Sequence, residues 1–148
     1  MPLLFVYGTL RDPDILAGVL GRPLRAEAMQ PASAPGFRAV YYPGRVYPGL
    51  IRSPGGVAEG LLLTDLSAFE FDLLDAFEGD EYRRDIIAVM ADEELHETLA
   101  YLPTIAIDAG ATNWTLREWQ AKHKPAALDT ERSNAAQLRA KLIAIRPN

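Results

Sequence analysis

The chain has 148 residues, 49% hydrophobic and 24% charged, with a formal net charge of -5 and no cysteine. That length makes one ordinary domain with enough buried surface for a real core. The acidic balance argues against a nucleic-acid groove or an anionic membrane surface, both of which need clustered Lys and Arg. Without cysteine there are no disulfides, thiolate nucleophiles or thiolate–metal sites, which fits a reducing compartment. No apolar run approaches the ~20 residues that span a bilayer. The opening Met1-Pro2-Leu3-Leu4-Phe5-Val6 lacks the basic region and cleavage site of a signal peptide, so a cytoplasmic location is expected.

Residues 3–7 read as a buried strand that stops at Tyr7-Gly8-Thr9. Asp12 then serves as N-cap with Pro13 at the first helical position, and Gly21 and Pro23 end that helix. Residues 24–31 and 36–42 have strand character, broken by Pro31, Pro35 and Gly36. Pro43-Gly44 and Pro48-Gly49 bracket an irregular segment, Ser53-Pro54-Gly55-Gly56 reads as a turn, and Val57 to Thr64 as another strand. Ser67 and Glu70 have capping-box spacing and open a helix to about Phe77, with Phe69, Leu73, Leu74 and Phe77 inward and Gly79 as its stop. Tyr82–Ala91 and Leu95–Leu102 form a hairpin around Asp92-Glu93-Glu94. Thr115 and Glu118 propose a second capping box for a short helix to Lys122.

Residues 125–145 are rich in good helix formers but sparse in apolar residues before Ala135, so the tail lies over its own domain or over a partner chain. Strands outnumber helices and do not alternate with them, which disfavours a doubly wound sheet. The expected fold is α+β, a small, mixed, mostly antiparallel β-barrel with flanking helices. A domain over residues 1–124 carries a helical extension over 125–148.

The chemistry concentrates in two places. A strand ending in Tyr7-Gly8-Thr9-Leu10 before a helix start aims backbone N–H groups at one spot, which suits a carboxylate or a developing oxyanion. Taken alone, a glycine after a strand is an ordinary turn. The second place is the cluster Asp72, Asp75, Glu78, Asp80, Glu81, Tyr82, Arg83 and Arg84. Glu78 falls at the negative end of its helix beside Phe77; both features disfavour its charged form and suit a general base or proton shuttle. The plain alternative is a set of solvated charges at a helix end.

A cation site on Asp75, Glu78, Asp80 and Glu81 faces competition from Arg83 and Arg84. His96 and His123 lack metal-ligand spacing. Neither a Gly-x-Ser-x-Gly elbow nor a glycine-rich phosphate loop is present. Tyr7, Tyr47, Tyr82 and Tyr101 sit at strand ends or kinks, where a phenol packs in the core or lines a small polar pocket.

Val6-Tyr7-Gly8-Thr9-Leu10, Gly44-Arg45-Val46-Tyr47-Pro48-Gly49-Leu50, Leu74-Asp75-Ala76-Phe77-Glu78-Gly79 with Glu81-Tyr82-Arg83-Arg84, and Trp114 with Glu118-Trp119 follow one another along residues 3–123. In that order they resemble the gamma-glutamylcyclotransferase-like family, including its plant avirulence-induced-gene branch. The resemblance implies a small barrel in which the Tyr7–Leu10 turn meets the end of the Glu78 helix across a cavity. It implies cyclisation of a gamma-glutamyl group to 5-oxoproline with release of the attached amine or amino acid, and Glu78 as the catalytic proton shuttle. Backbone N–H groups of Gly8, Thr9 and Leu10 would hold an anion, and Tyr7, Tyr47, Pro48, Gly49, Tyr82 and Tyr101 would line the substrate pocket. No metal or cofactor is implied, and the partner is a small gamma-glutamyl compound, with no nucleic acid or membrane. The same fold also accommodates a non-catalytic module that binds an amino-acid-like ligand, and a metal-dependent hydrolase on the acidic cluster is a third reading. Oligomeric state and the choice among gamma-glutamyl amino acids, gamma-glutamylamines and glutathione-like peptides stay open.

Overall fold

The computed structural model describes residues 2–145. Five strands, β1 (Leu4–Val6), β2 (Met29–Tyr41), β3 (Pro48–Leu63), β4 (Tyr82–Ala91) and β5 (Glu94–Pro103), are joined with four α-helices, α1 (Pro13–Leu20), α2 (Ala68–Glu78), α3 (Leu116–Lys122) and α4 (Lys124–Ile145). Two long antiparallel hairpins make most of the sheet: β2–β3, from Tyr41↔Pro48 to Met29↔Leu63, and β4–β5, from Ala91↔Glu94 to Tyr82↔Pro103. On one side β1 ties them together, antiparallel to β3 (Leu4↔Leu63, Val6↔Leu61) and parallel to β5 (Leu4↔Leu99, Phe5↔Ala100). On the other side a single pair, Ser33↔Met90, joins β2 to β4, and the order β1-β3-β2-β4-β5 closes into a barrel. No helix among the described residues is long and apolar enough to cross a membrane.

The strand period of two divides the core. Phe5 and Tyr7 point into the barrel with Ala34, Phe37, Leu50, Leu62 and Val89. Leu4 and Val6 point outward into a second cluster with Ile15, Leu16, Val19, Leu63, Phe71, Leu74 and Trp119. Both faces of β1 are therefore buried, which accounts for its unbroken apolar sequence.

Several expectations shift. The two strand segments before Tyr42 are one strand, β2, which begins at Met29; residues 26–28 form a 3-10 turn instead. Pro48-Gly49 already belong to β3, paired with Tyr41 and Val40, so only residues 42–47 are irregular. Ser53–Gly56 is no break between strands. Those four residues bulge out of β3 opposite Gly36, between the pairs Phe37↔Arg52 and Pro35↔Val57. Pro54 has no N–H for the ladder and Gly55 sits at φ +79°, so the chain leaves the pairing and returns.

The Ser67/Glu70 capping box is present and α2 runs one residue beyond Phe77. Leu73 and Leu74 are buried as expected, joined by Phe71, while Phe69 and Phe77 are half-buried. Glu70 is also buried, its carboxylate held by Arg22 at 2.7 and 2.9 Å. At α3 Thr115 accepts from the N–H of Glu118, but the Glu118 carboxylate turns to Lys122 at 2.8 Å, so the second capping box is only half formed.

The tail covers its own domain. Lys124 at the start of α4 reaches Asp12 at 2.9 Å and Asp14 at 2.8 Å. Ala127 and Leu128 pack on the outer core, and Arg139 donates to the carbonyls of Gly18 and Val19 in α1. Positions 146–148 of the expected extension lie outside the described residues.

Candidate active site

Element ends converge on a cavity of about 560 Å³. From β1 come Tyr7 and the loop Gly8–Leu10; from the entry to β3, Tyr47 and Pro48; from the end of α2, Phe77 and Glu78; from β4 and β5, Tyr82 and Tyr101. Local sequence explains the placement. Gly8 precedes a single 3-10 turn over Thr9–Arg11, and a Cβ on it would meet Pro48 Cγ at 2.9 Å, so only glycine lets the two loops approach. That turn is closed by the Arg11 N–H donating to the Gly8 carbonyl at 3.0 Å and the Asp12 N–H donating to the Thr9 carbonyl at 2.9 Å. Gly79 ends α2 at φ 65°, ψ -149°, a conformation essentially reserved for glycine, and so fixes where Glu78 stops. The Trp114 indole donates to the Val46 carbonyl at 2.8 Å and holds the Tyr47 loop in place.

The phenols are tightly partnered. Tyr7 donates to the Tyr101 carbonyl at 2.5 Å, Tyr82 to the Pro48 carbonyl at 2.5 Å, Tyr101 to Asp75 Oδ1 at 2.7 Å, and Tyr47 to Glu81. Asp75 is gripped in turn by Arg84 at 3.0 Å, and Glu81 by Arg45 at 3.0 Å. Two carboxylates of the acidic cluster, Asp75 and Glu81, are thus occupied with arginines and tyrosines, and no group suited to holding a metal ion occurs among the described residues.

With their protons committed to the protein, Tyr47, Tyr82 and Tyr101 can offer a ligand only oxygen lone pairs, which suit a donor such as an ammonium. All four phenols are held neutral. Burial is the largest cause at each: the Glu78 charge adds to it at Tyr7, the Tyr7 phenol and then Glu78 at Tyr82, and the hydrogen bond to Asp75 at Tyr101. Burial followed by the Glu81 hydrogen bond pushes Tyr47 up to about 12.

Tyr7, Gly8, Thr9, Leu10, Tyr47, Pro48, Glu78, Tyr82 and Tyr101 all border the cavity. Gly49 does not. It is buried one residue past Pro48, where a Cβ would strike Pro103 at 2.6 Å and Ile107 at 2.7 Å. Sequence reasoning missed Asp75 as the acceptor that fixes Tyr101, and it missed the α4 wall of Asn134, Gln137, Leu138 and Lys141. Those four positions have the spacing of one helix face, but nothing local says where that face docks.

A five-stranded, mostly antiparallel sheet with outer helices and a tyrosine-lined cavity at one end defines the class as a mixed α+β fold. Residues 4–132 match the family described as "Gamma-glutamyl cyclotransferase, AIG2-like", and the chain belongs to that family. The matched span runs past residue 124 into α4. AIG2-like protein A of Arabidopsis thaliana is 30% identical over 130 residues, covering 85% of this chain and 76% of that protein. AIG2-like protein D of the same plant is 31% identical over 144 residues, covering 93% and 91%. Among solved structures, a solution structure of an Arabidopsis thaliana protein aligns with a TM-score of 0.66 at 30% identity, covering 87% of each chain. A structure titled gamma-glutamyl cyclotransferase shares the fold with a TM-score of 0.58 at 19% identity, covering 99% of this chain and 88% of that one.

Proposed function

We propose that this protein is a gamma-glutamyl cyclotransferase that releases 5-oxoproline and an amine or amino acid from a gamma-glutamyl compound. The observation that carries the reading is the juxtaposition of Glu78 and the Tyr7–Leu10 loop on one cavity wall lined with phenols. The substrate's α-ammonium lies against the phenol oxygens and gives a proton to the Glu78 carboxylate. The freed nitrogen attacks the γ-carbonyl carbon and forms a tetrahedral intermediate, whose oxyanion or neighbouring α-carboxylate is held by the N–H groups of Gly8, Thr9 and Leu10. As the bond from that carbon to the leaving nitrogen breaks and the oxyanion collapses to the lactam carbonyl, Glu78 returns the proton to the leaving nitrogen; the ring nitrogen then sheds its second proton, which the departing amine takes up as an ammonium. Both reacting groups belong to one molecule, so holding them in a five-membered approach supplies much of the acceleration.

The test is mass-spectrometric detection of 5-oxoproline from a panel of gamma-glutamyl amino acids, gamma-glutamylamines and glutathione. Wild type is expected to form product, and Glu78→Gln to lose at least about 100-fold while keeping the wild-type circular dichroism. Thermal stabilisation by these compounds without any product would identify a binding module instead. Full activity in Glu78→Gln would overturn the shuttle.

A further inference from the structure

The cavity has two unlike ends. At its floor lie the buried Tyr7 and Tyr101, with half-buried Glu78 beside them. At its rim lies α4, which presents the exposed Asn134, Gln137 and Lys141 around the half-buried Leu138. The helix is fixed there from both ends, by Lys124 on Asp12 and Asp14 and by Arg139 on the last turn of α1. The rim is therefore a built wall, and it supplies amide donors and a cation where the floor supplies phenol oxygens and a carboxylate.

The charges sharpen the contrast. Two carboxylates border the cavity, Glu78 and Glu81, and Glu81 is already matched by Arg45 and Tyr47. Lys141 makes no ion pair among the described residues. An ammonium at the mouth of a cavity, one helical turn beyond the Gln137 amide and two beyond that of Asn134, is suited to an incoming carboxylate.

We infer that α4 forms the subsite for the leaving half of the substrate, with Lys141 pairing the carboxylate of a departing amino acid. The inference rests on the cyclotransferase reading, because that reading seats the gamma-glutamyl half on the floor beside Glu78 and so directs the leaving half to the rim. It selects one substrate class from three. Gamma-glutamyl amino acids carry a carboxylate next to the scissile nitrogen, whereas simple gamma-glutamylamines carry none. In glutathione-like peptides the carboxylate is farther away.

The test compares gamma-glutamyl-alanine with gamma-glutamyl-alaninamide, which differ only in that charge. Wild type is expected to favour the acid in kcat/KM by about fivefold, the size of one partly exposed ion pair. Lys141→Gln is expected to bring the ratio close to one, and Lys141→Arg to restore it. A ratio near one in wild type, or one that survives Lys141→Gln, overturns the assignment. Equal losses on both substrates in Lys141→Gln also overturn it and move Lys141 to the gamma-glutamyl carboxylate. If wild type turns over neither compound but forms 5-oxoproline from a gamma-glutamylamine or glutathione, the assignment fails while the cyclotransferase reading stands; if it forms 5-oxoproline from none of these, the cyclotransferase reading fails on its own. The subsite is then read from thermal shift, in which the acid must stabilise wild type more than the amide does and must lose that advantage in Lys141→Gln.

Discussion

Asp12 is fully buried and joins three parts of the molecule. Its Oδ1 accepts from the N–H groups of Asp14 and Ile15 and caps α1, while its Oδ2 takes Gln120 at 2.9 Å and Lys124 at 2.9 Å. Burial alone would push this carboxyl up, but the hydrogen bonds from Gln120, Lys124 and Ile15 outweigh it and hold the group below the usual carboxylate range. Asp12→Ala removes the cap and leaves the amide and ammonium partners without their acceptor, so it is expected to cost about 3 kcal/mol in urea unfolding. Asp12→Asn keeps the capping oxygen and is expected to cost less; an equal cost would mean that the cap contributes little. The cap was legible from Asp12-Pro13 alone. Its second function was not, because Gln120 lies 108 residues away. Gly49 fails in the opposite sense. It sits beside Pro48 in sequence, yet neighbouring strand residues face opposite ways, so adjacency to a lining residue directs it away from the cavity.

At the scale of elements, features with a local cause were readable. The Asp12 and Ser67 caps, the Gly21 and Gly79 stops and the β4–β5 hairpin each follow from a few adjoining residues. Features settled by distant partners were not. Ser53–Gly56 has turn composition but stays within β3 because β2 continues to pair on both sides of it. The docking of α4 depends on α1, more than a hundred residues earlier in the chain. The β4–β5 turn itself is strained: Asp92 and Glu93 both have positive φ, 50° and 62°, as a two-residue type I′ turn requires. Aspartate tolerates that region better than glutamate does. Glu93→Gly is therefore expected to stabilise the fold by roughly 0.5–1 kcal/mol, seen as a higher melting temperature. A lower melting temperature would show that the Glu93 side chain contributes more than its backbone strain costs.

The cavity couples the whole molecule to pH. Tyr7, Tyr47, Tyr82 and Tyr101 are each held above the ordinary phenol value in the folded state, burial being the first cause at every one. Above about pH 10 an unfolded chain releases phenol protons that the folded chain retains. Unfolding then releases protons, and stability falls as pH rises. The contribution from these groups is fully present below about pH 10. For Tyr47 it is lost between that pH and about 12. Alkaline titration is expected to give a steep rise in tyrosinate absorbance that coincides with loss of the far-ultraviolet circular dichroism signal. Gradual ionisation of all six tyrosines in a still-folded protein would contradict the placement of these four, Tyr7 and Tyr101 buried and Tyr47 and Tyr82 half-buried.

The strand that closes the barrel is three residues long and lies at the start of the chain, yet it pairs with Leu61–Leu63 and with Leu99–Ala100. During synthesis it emerges before either neighbour and is among the last to find both, since its second partner follows nearly a hundred residues later. The two hairpins, whose contacts are local, have no such delay. The Tyr7–Leu10 loop is carried directly on that strand. That loop therefore meets Glu78 across the cavity only in a chain that has finished folding, and a nascent or half-closed molecule has the acidic helix end without the loop that completes the cavity.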